Sequence, residues 1–179
     1  LADAGTEELV ASFVRPAWWL RWFLDVPDWP GPADDATIAA TEQRIDRALP
    51  DELRAFYRLH DGFAMLQLGA VATIAPVPEP PAIDAAMNLL DSPFAVVSAA
   101  ADGEIALRLG LDDLLACYAI SPPLDAGLAQ HLPWPSLLWC PRLESSRAAI
   151  VNTSTHRAYR DFTLYLRDHA ADQQAWRDP

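Results

Sequence analysis

The chain contains no lysine: all 13 of its basic residues are arginine. Whatever the origin of that bias, it excludes a phosphate-loop lysine, a lysine Schiff base and a lysine general base. Cysteine is scarce as well. Cys117 and Cys140 are too few for a disulfide framework, and each lies in an apolar run, where a cysteine is usually an inert core residue. Their scarcity favours a reducing compartment. Long apolar runs are missing: the longest, Ala17 to Leu24, is broken by Arg21 and falls far short of the roughly 20 residues that span a bilayer. The first residues carry Asp3, Glu7 and Glu8 where a secretory signal would be positive. The expectation is a cytoplasmic protein with no membrane segment. Positive charge is also short, since 25 acids against 13 bases leave a formal net charge of −12. Such a surface repels phosphate backbones and argues against direct nucleic-acid binding.

The usual catalytic signatures are absent. No Gly-x-Ser-x-Gly elbow, His-Glu-x-x-His, Cys-x-x-Cys or glycine-rich phosphate loop occurs. His60, His131, His156 and His169 stand singly, no two of them four apart on one helix face, so neither a metal site nor a cofactor is expected. His60-Asp61 is the most tempting acid–base pair, and Cys117 or Cys140 could act as a nucleophile beside a histidine. Yet His60 and Asp61 follow a helical stretch, where the histidine can answer the negative end of the dipole and the aspartate can cap. Structure is the favoured role for both.

What is present is a hydrophobic chain of 179 residues, 51% apolar, which is most naturally one domain with a substantial core. It is organised around residues 37–62. Ile38, Glu42, Ile45 and Leu49 recur at helical spacing, with Ala48 on the same stripe. Pro50 breaks that helix and starts another, pushing Leu49 to extended geometry. Asp51 and Glu52 then put negative charge at the positive end of the second helix. Leu53, Phe56, Tyr57 and His60 follow at i, i+3, i+4 and i+7, and Gly62 can take the left-handed conformation that closes a helix. The stretch predicts a helix–proline–helix hairpin with one apolar seam.

Glu42 in a first helix, the Leu49-Pro50 hinge, the Phe56-Tyr57 pair and the closing His60-Asp61-Gly62 resemble the pattern of the SUKH superfamily, also called the SMI/KNR family. Upstream, a tryptophan-rich stretch (Trp18-Trp19-Leu20-Arg21-Trp22-Phe23-Leu24) leads through Pro30-Gly31-Pro32-Ala33 into the hairpin, as in the bacterial branch of that family. The resemblance covers residues 15–65; beyond them it concerns general layout. It implies an α+β fold, with N-terminal helices packed on a mostly antiparallel sheet and a C-terminal helix. It also implies a non-enzymatic immunity protein that binds and occludes a bacterial toxin, such as a nuclease. The alternative it allows is an intracellular regulatory adaptor acting by protein–protein contact. An enzyme using His60 or a cysteine comes third. One departure matters: bacterial members often carry a loop of alternating aspartate and glycine late in the chain, and here Glu144-Ser145-Ser146-Arg147 stands there.

Around that centre the pattern predicts a single domain, 1–179, with residues 1–32 as an N-terminal helical extension. Phe63 to Ile74 reads as one or two strands, Pro76 to Pro81 as a polyproline-like loop and Ile83 to Leu90 as a short helix. Phe94 to Val97 and Ile105 to Leu109 read as strands around a turn at 101–104. Residues 111–117 lean to helix, with Cys117 to Ile120 open to strand, and 122–131 reads as helix. Trp134 to Cys140, flanked by prolines, is expected near a sheet edge. A hairpin over 148–160 and a final helix from Phe162 complete the chain. The expected partner is a protein, in the nuclease case a basic toxin domain. Asp102, Glu104, Asp112 and Asp113 are the candidate partner-binding acids, against the plain reading that scattered acids serve solubility. The sequence fixes no oligomeric state.

Overall fold

The computed structural model describes residues 31–63, 66–77, 94–100, 103–122, 135–146 and 149–175. Residues 1–30 of the expected N-terminal helical extension, the helix expected over 83–90, all but the first residue of that expected over 122–131, most of the proline-rich loop and the turn residues 101–102 lie outside them.

The hairpin forms. Helix α1 (Asp35–Ile45) is opened by Asp34, whose carboxylate accepts the Thr37 N–H at 2.6 Å. It stops earlier than its apolar stripe suggested, because Asp46 turns left-handed at φ 52°. Ala48 is consequently exposed, whereas Leu49 is buried from an extended segment. Pro50 caps helix α2 (Asp51–Leu59), which buries Leu53, Phe56 and Tyr57 on one face. The Gly31–Ala33 segment straps across its end, with Ala33 N–H donating to the Tyr57 carbonyl and Asp61 N–H to the Gly31 carbonyl.

Among the described residues of Phe63 to Ile74 none forms a strand. A lone bridge pairs Phe63 with Leu68, and Val71–Thr73 is a single 3₁₀ turn. Leu66, Leu68, Val71 and Ile74 are all buried. Buried apolar side chains occur in a short segment of any conformation, so composition could not identify this one.

One seven-stranded sheet lies behind the helices. Its strands are β1 (Ala75–Pro76), β2 (Phe94–Ala100), β3 (Gly103–Leu109), β4 (Tyr118–Ala119), β5 (Leu137–Trp139), β6 (Ile150–Asn152) and β7 (Arg157–Tyr159). A short helix, α3 (Leu111–Leu115), stands between β3 and β4, and helix α4 (Phe162–Ala175) ends the described chain. The spatial order is β1-β4-β5-β6-β7-β2-β3, antiparallel throughout except where β7 runs parallel to β2. The α+β architecture and the closing helix agree with expectation. The placement of β5 does not: it lies between β4 and β6, away from the edge. Its prolines flank the strand and leave its backbone donors intact, so they set its ends and not its rank in the sheet.

Successive side chains of a strand point to opposite faces, and here both faces are covered. Leu137, Trp139, Ile150 and Tyr159 join the main core with α1, α2 and α4. Leu138, Cys140, Val151 and Ala158 form a second cluster with Val77, Leu109, Leu114 and Cys117. Burial on both faces explains why β5 and β6 read as unbroken apolar runs. It also corrects the reading of the cysteines. Tyr118 pairs with Trp139, so the next position along each strand brings Cys117 opposite Cys140, their Cα atoms 4.3 Å apart and their sulfurs joined in a disulfide. They are neither separate core residues nor available nucleophiles.

Helix α4 is fastened at both layers. The Asp161 carboxylate accepts the Leu164 N–H at 2.8 Å as its cap, and Phe162, Tyr165 and Leu166 enter the core. Tyr165 donates its hydroxyl to the Leu66 carbonyl at 2.7 Å. Asp168 accepts from Tyr159 at 2.7 Å and from Arg157 at 2.8 Å.

Candidate functional site

Of the residues quoted for the resemblance, Glu42, Leu49, Pro50, Asp61 and Gly62 lie at one corner, where α1, α2 and the Val71–Thr73 turn meet. Glu42 stands at its centre. One carboxylate oxygen accepts the Leu49 N–H at 2.8 Å and the Arg54 Nη2 and Nε donors at 2.7 and 3.2 Å. Residues 46–50 are not helical, so the Leu49 N–H does not bond the carbonyl of Ile45 four residues back as it would in a helix, and the Glu42 side chain supplies the missing acceptor. Arg54 also reaches Asp51 at 3.1 Å, and on the far side Arg58 pairs with Asp35 at 2.8 Å.

Burial pushes the Glu42 carboxyl up, but the hydrogen bonds from Arg54 and Leu49, with the guanidinium charges of Arg54 and Arg58, outweigh it and hold the pKa below the ordinary glutamate value. A lowered folded pKa contributes stability that is present above the unfolded value and is lost as pH falls through the folded one. Glu42→Gln should therefore destabilise the domain at neutral pH by about 1.5–3 kcal/mol, the range for hydrogen bonds to charged groups. Its melting temperature should also fall less steeply than the parent's between neutral pH and the acid range. Parallel melting curves at stepped pH check both outcomes.

The closing residues are equally engaged. The Asp61 carboxylate does not cap α2; it accepts the Val71 N–H at 2.6 Å and so anchors the 3₁₀ turn. Gly62 has φ +92°, and a Cβ there would come within 2.8 Å of the Gly69 backbone. The expected left-handed glycine is present, but its role is this backbone crossing, since α2 already ends at His60 in extended conformation. His60 lies half-buried, its ring 6.4 Å from that of Phe56. The Tyr57 hydroxyl is enclosed with no hydrogen-bond partner among the described residues, and burial, reinforced by the Asp61 charge, pushes its pKa up and keeps it protonated.

Beside this corner an open depression of about 440 Å³ runs along α1, lined by Asp34, Ala36, Thr37, Ala40, Thr41, Arg44 and Ala72. Arg44 crosses its rim to the Ala72 carbonyl at 3.0 Å, and Thr41 donates to the Val71 carbonyl at 3.3 Å. Apart from Arg44, the lining is of small side chains. No group of three or more His, Cys, Asp or Glu residues suited to a metal ion occurs among the described residues.

The candidate partner-binding acids are not brought together as a described cluster. Asp112 is exposed on α3, and Asp113 is half-buried with its carboxylate accepting the Gly110 N–H at 2.9 Å. Glu104 is the second residue of β3, and Asp102 lies outside the described residues. Among the described residues, the other exposed acids, Asp34, Asp35, Asp46 and Asp51, belong to the α1–α2 hairpin on the opposite side of the sheet. No helix among the described residues is long and apolar enough to cross a membrane. Comparison with protein families, curated proteins and solved structures found nothing that matches this chain.

Proposed function

We propose that the chain is a non-enzymatic protein-binding module of the SUKH type, an immunity protein that neutralises a bacterial toxin by covering its working surface. The observation that carries this reading is where the polar groups of the shared motif go. Glu42 serves Leu49 and Arg54, Asp61 serves Val71, and Gly62 allows a backbone crossing. A motif engaged in holding its own corner together supports a scaffold that presents a surface, with recognition left to exposed residues around it. The net charge of −12 suits a basic partner such as a nuclease cleft. The placement of described exposed acids on both sides of the sheet goes with the plain reading, in which they serve solubility, and weakens the case for a basic partner; the alternative is a regulatory adaptor without a toxin partner.

The cytoplasm is the compartment that goes with either reading. The Cys117–Cys140 disulfide favours an oxidising compartment instead, because such bonds persist there.

Affinity capture from the source cell, followed by measurement with the captured partner, tests the function. His60→Ala should leave partner affinity within about threefold, a change below 1 kcal/mol. A purified protein that turns over a substrate, and loses turnover in His60→Ala, overturns the non-enzymatic reading.

A further inference from the structure

The two edges of the sheet are built differently. Strand β1 is two residues long, and its Pro76 has no N–H to offer a new neighbour. Strand β3 is seven residues long, pairs residue for residue with β2 without a bulge, and contains no proline. Among the described strands it has a neighbour on one side only. Strand backbones direct their N–H and C=O groups alternately to the two sides, so β3 turns one row toward β2 and the other outward, as a template for a further strand.

The sequence of β3 specifies which strand fits. In an antiparallel pair, residues directly opposite one another share a face of the sheet. A two-fold axis perpendicular to the sheet must then pass midway between a residue and its own copy. Only the register centred on Ala106 pairs all seven residues of β3 with those of a second β3. In that register Glu104 falls opposite Arg108 of the second copy, and symmetry repeats the match. The next symmetric registers shorten the ladder and set Glu104 or Arg108 opposite alanine, and those beyond them set like charge against like. The strand is its own complement in both length and charge.

We propose that β3 is a homodimer interface, at which a second copy of this chain adds its own β3 antiparallel about Ala106 and continues the sheet across the two-fold axis. This goes beyond the function proposed above and does not depend on it. Sedimentation velocity over a concentration series should show a reversible monomer–dimer equilibrium. Glu104→Arg and Arg108→Glu each place like charges opposite at both symmetric positions, and each should raise the dimer Kd about tenfold or more. The double exchange Glu104→Arg/Arg108→Glu restores opposite charges and should return the Kd to near the parent's. A parent that is monomeric at every concentration overturns the proposal, as does a Kd that ignores the single exchanges or is not recovered by the double one. If a single variant fails to fold, amide exchange over 103–109 in the parent decides the matter. Protection that rises with protein concentration supports the interface, and protection independent of concentration overturns it.

Discussion

Phe56→Ala is expected to destabilise the domain by about 3–5 kcal/mol, the range for truncating a large buried aromatic. Phe56 is completely buried at the point where α2 meets α4. Its ring stands edge-on to Tyr57 at 5.7 Å and to Phe162 at 5.5 Å, and Phe162 in turn stacks on Tyr165 at 5.9 Å. The ring therefore joins two helices distant in sequence, and its loss opens a cavity bounded by aromatics that cannot readily collapse into it. Tyr57 and Tyr165 are held by their own surroundings, the latter by its bond to Leu66. A domain of this size loses roughly 2–4 °C per kcal/mol, so the melting temperature should fall by about 10 °C. Thermal unfolding followed by circular dichroism measures it. An unchanged melting temperature would contradict the packing of α2 against α4.

That Phe56 is buried was readable because its cause is local; that it meets α4 was not. The spacing of Leu53, Phe56 and Tyr57 places them on one helical face whatever that face meets, and Pro50 marks the start of the helix by its missing donor. Phe162, Tyr165 and Leu166 declare α4 in the same way. The left-handed glycine at 62 was also legible, but what it approaches, Gly69, depends on the path of the chain between them. Asp61 was assigned to the nearest helix end, whereas it serves Val71, ten residues on. Glu42 was visible as part of a resemblance, yet the reason for a glutamate there is the orphaned Leu49 N–H, which appears only once α1 ends at Ile45. Ala48 misled for the same reason: a stripe continues on paper past the point where Asp46 turns the backbone.

The sheet was less legible, because its neighbours are chosen by long-range contacts. The parallel step from β7 to β2 joins segments some sixty residues apart, and no local pattern announces it. Burial on both faces removes the alternation that would tell which side of β5 or β6 points inward. Of the candidate site, the two helices and the proline hinge between them were readable from residues 37–62, but the bonds between Glu42 and Leu49 and between Asp61 and Val71 that hold the corner were not. The depression beside it was not, because α1 supplies one wall and the turn near Ala72 the other.

The pairing of Cys117 with Cys140 belongs to that long-range class, and breaking it should have the second large effect. The bond ties the end of α3 to the end of β5 across 23 residues of sequence. Closing a loop of that length restricts the unfolded chain enough to stabilise the folded one by about 3 kcal/mol. Both cysteines are buried, at 2% and 0% exposure, among Val77, Leu114, Leu138 and Leu143. Reductant should therefore reach the bond slowly in the folded protein and quickly once it unfolds. Cys117→Ala/Cys140→Ala should melt about 10 °C below the oxidised parent, and the parent melted in reductant should fall by a similar amount. Thiol titration of denatured protein prepared without reductant should find no free thiol before reduction and both cysteines after it. Free thiols in that preparation would mean that the two residues only pack together, and the effect of the double variant would then shrink to the loss of two small apolar groups. The same titration on protein quenched inside its source cell distinguishes the compartments: bonded sulfurs place the protein in an oxidising space, and free thiols place it in the cytoplasm.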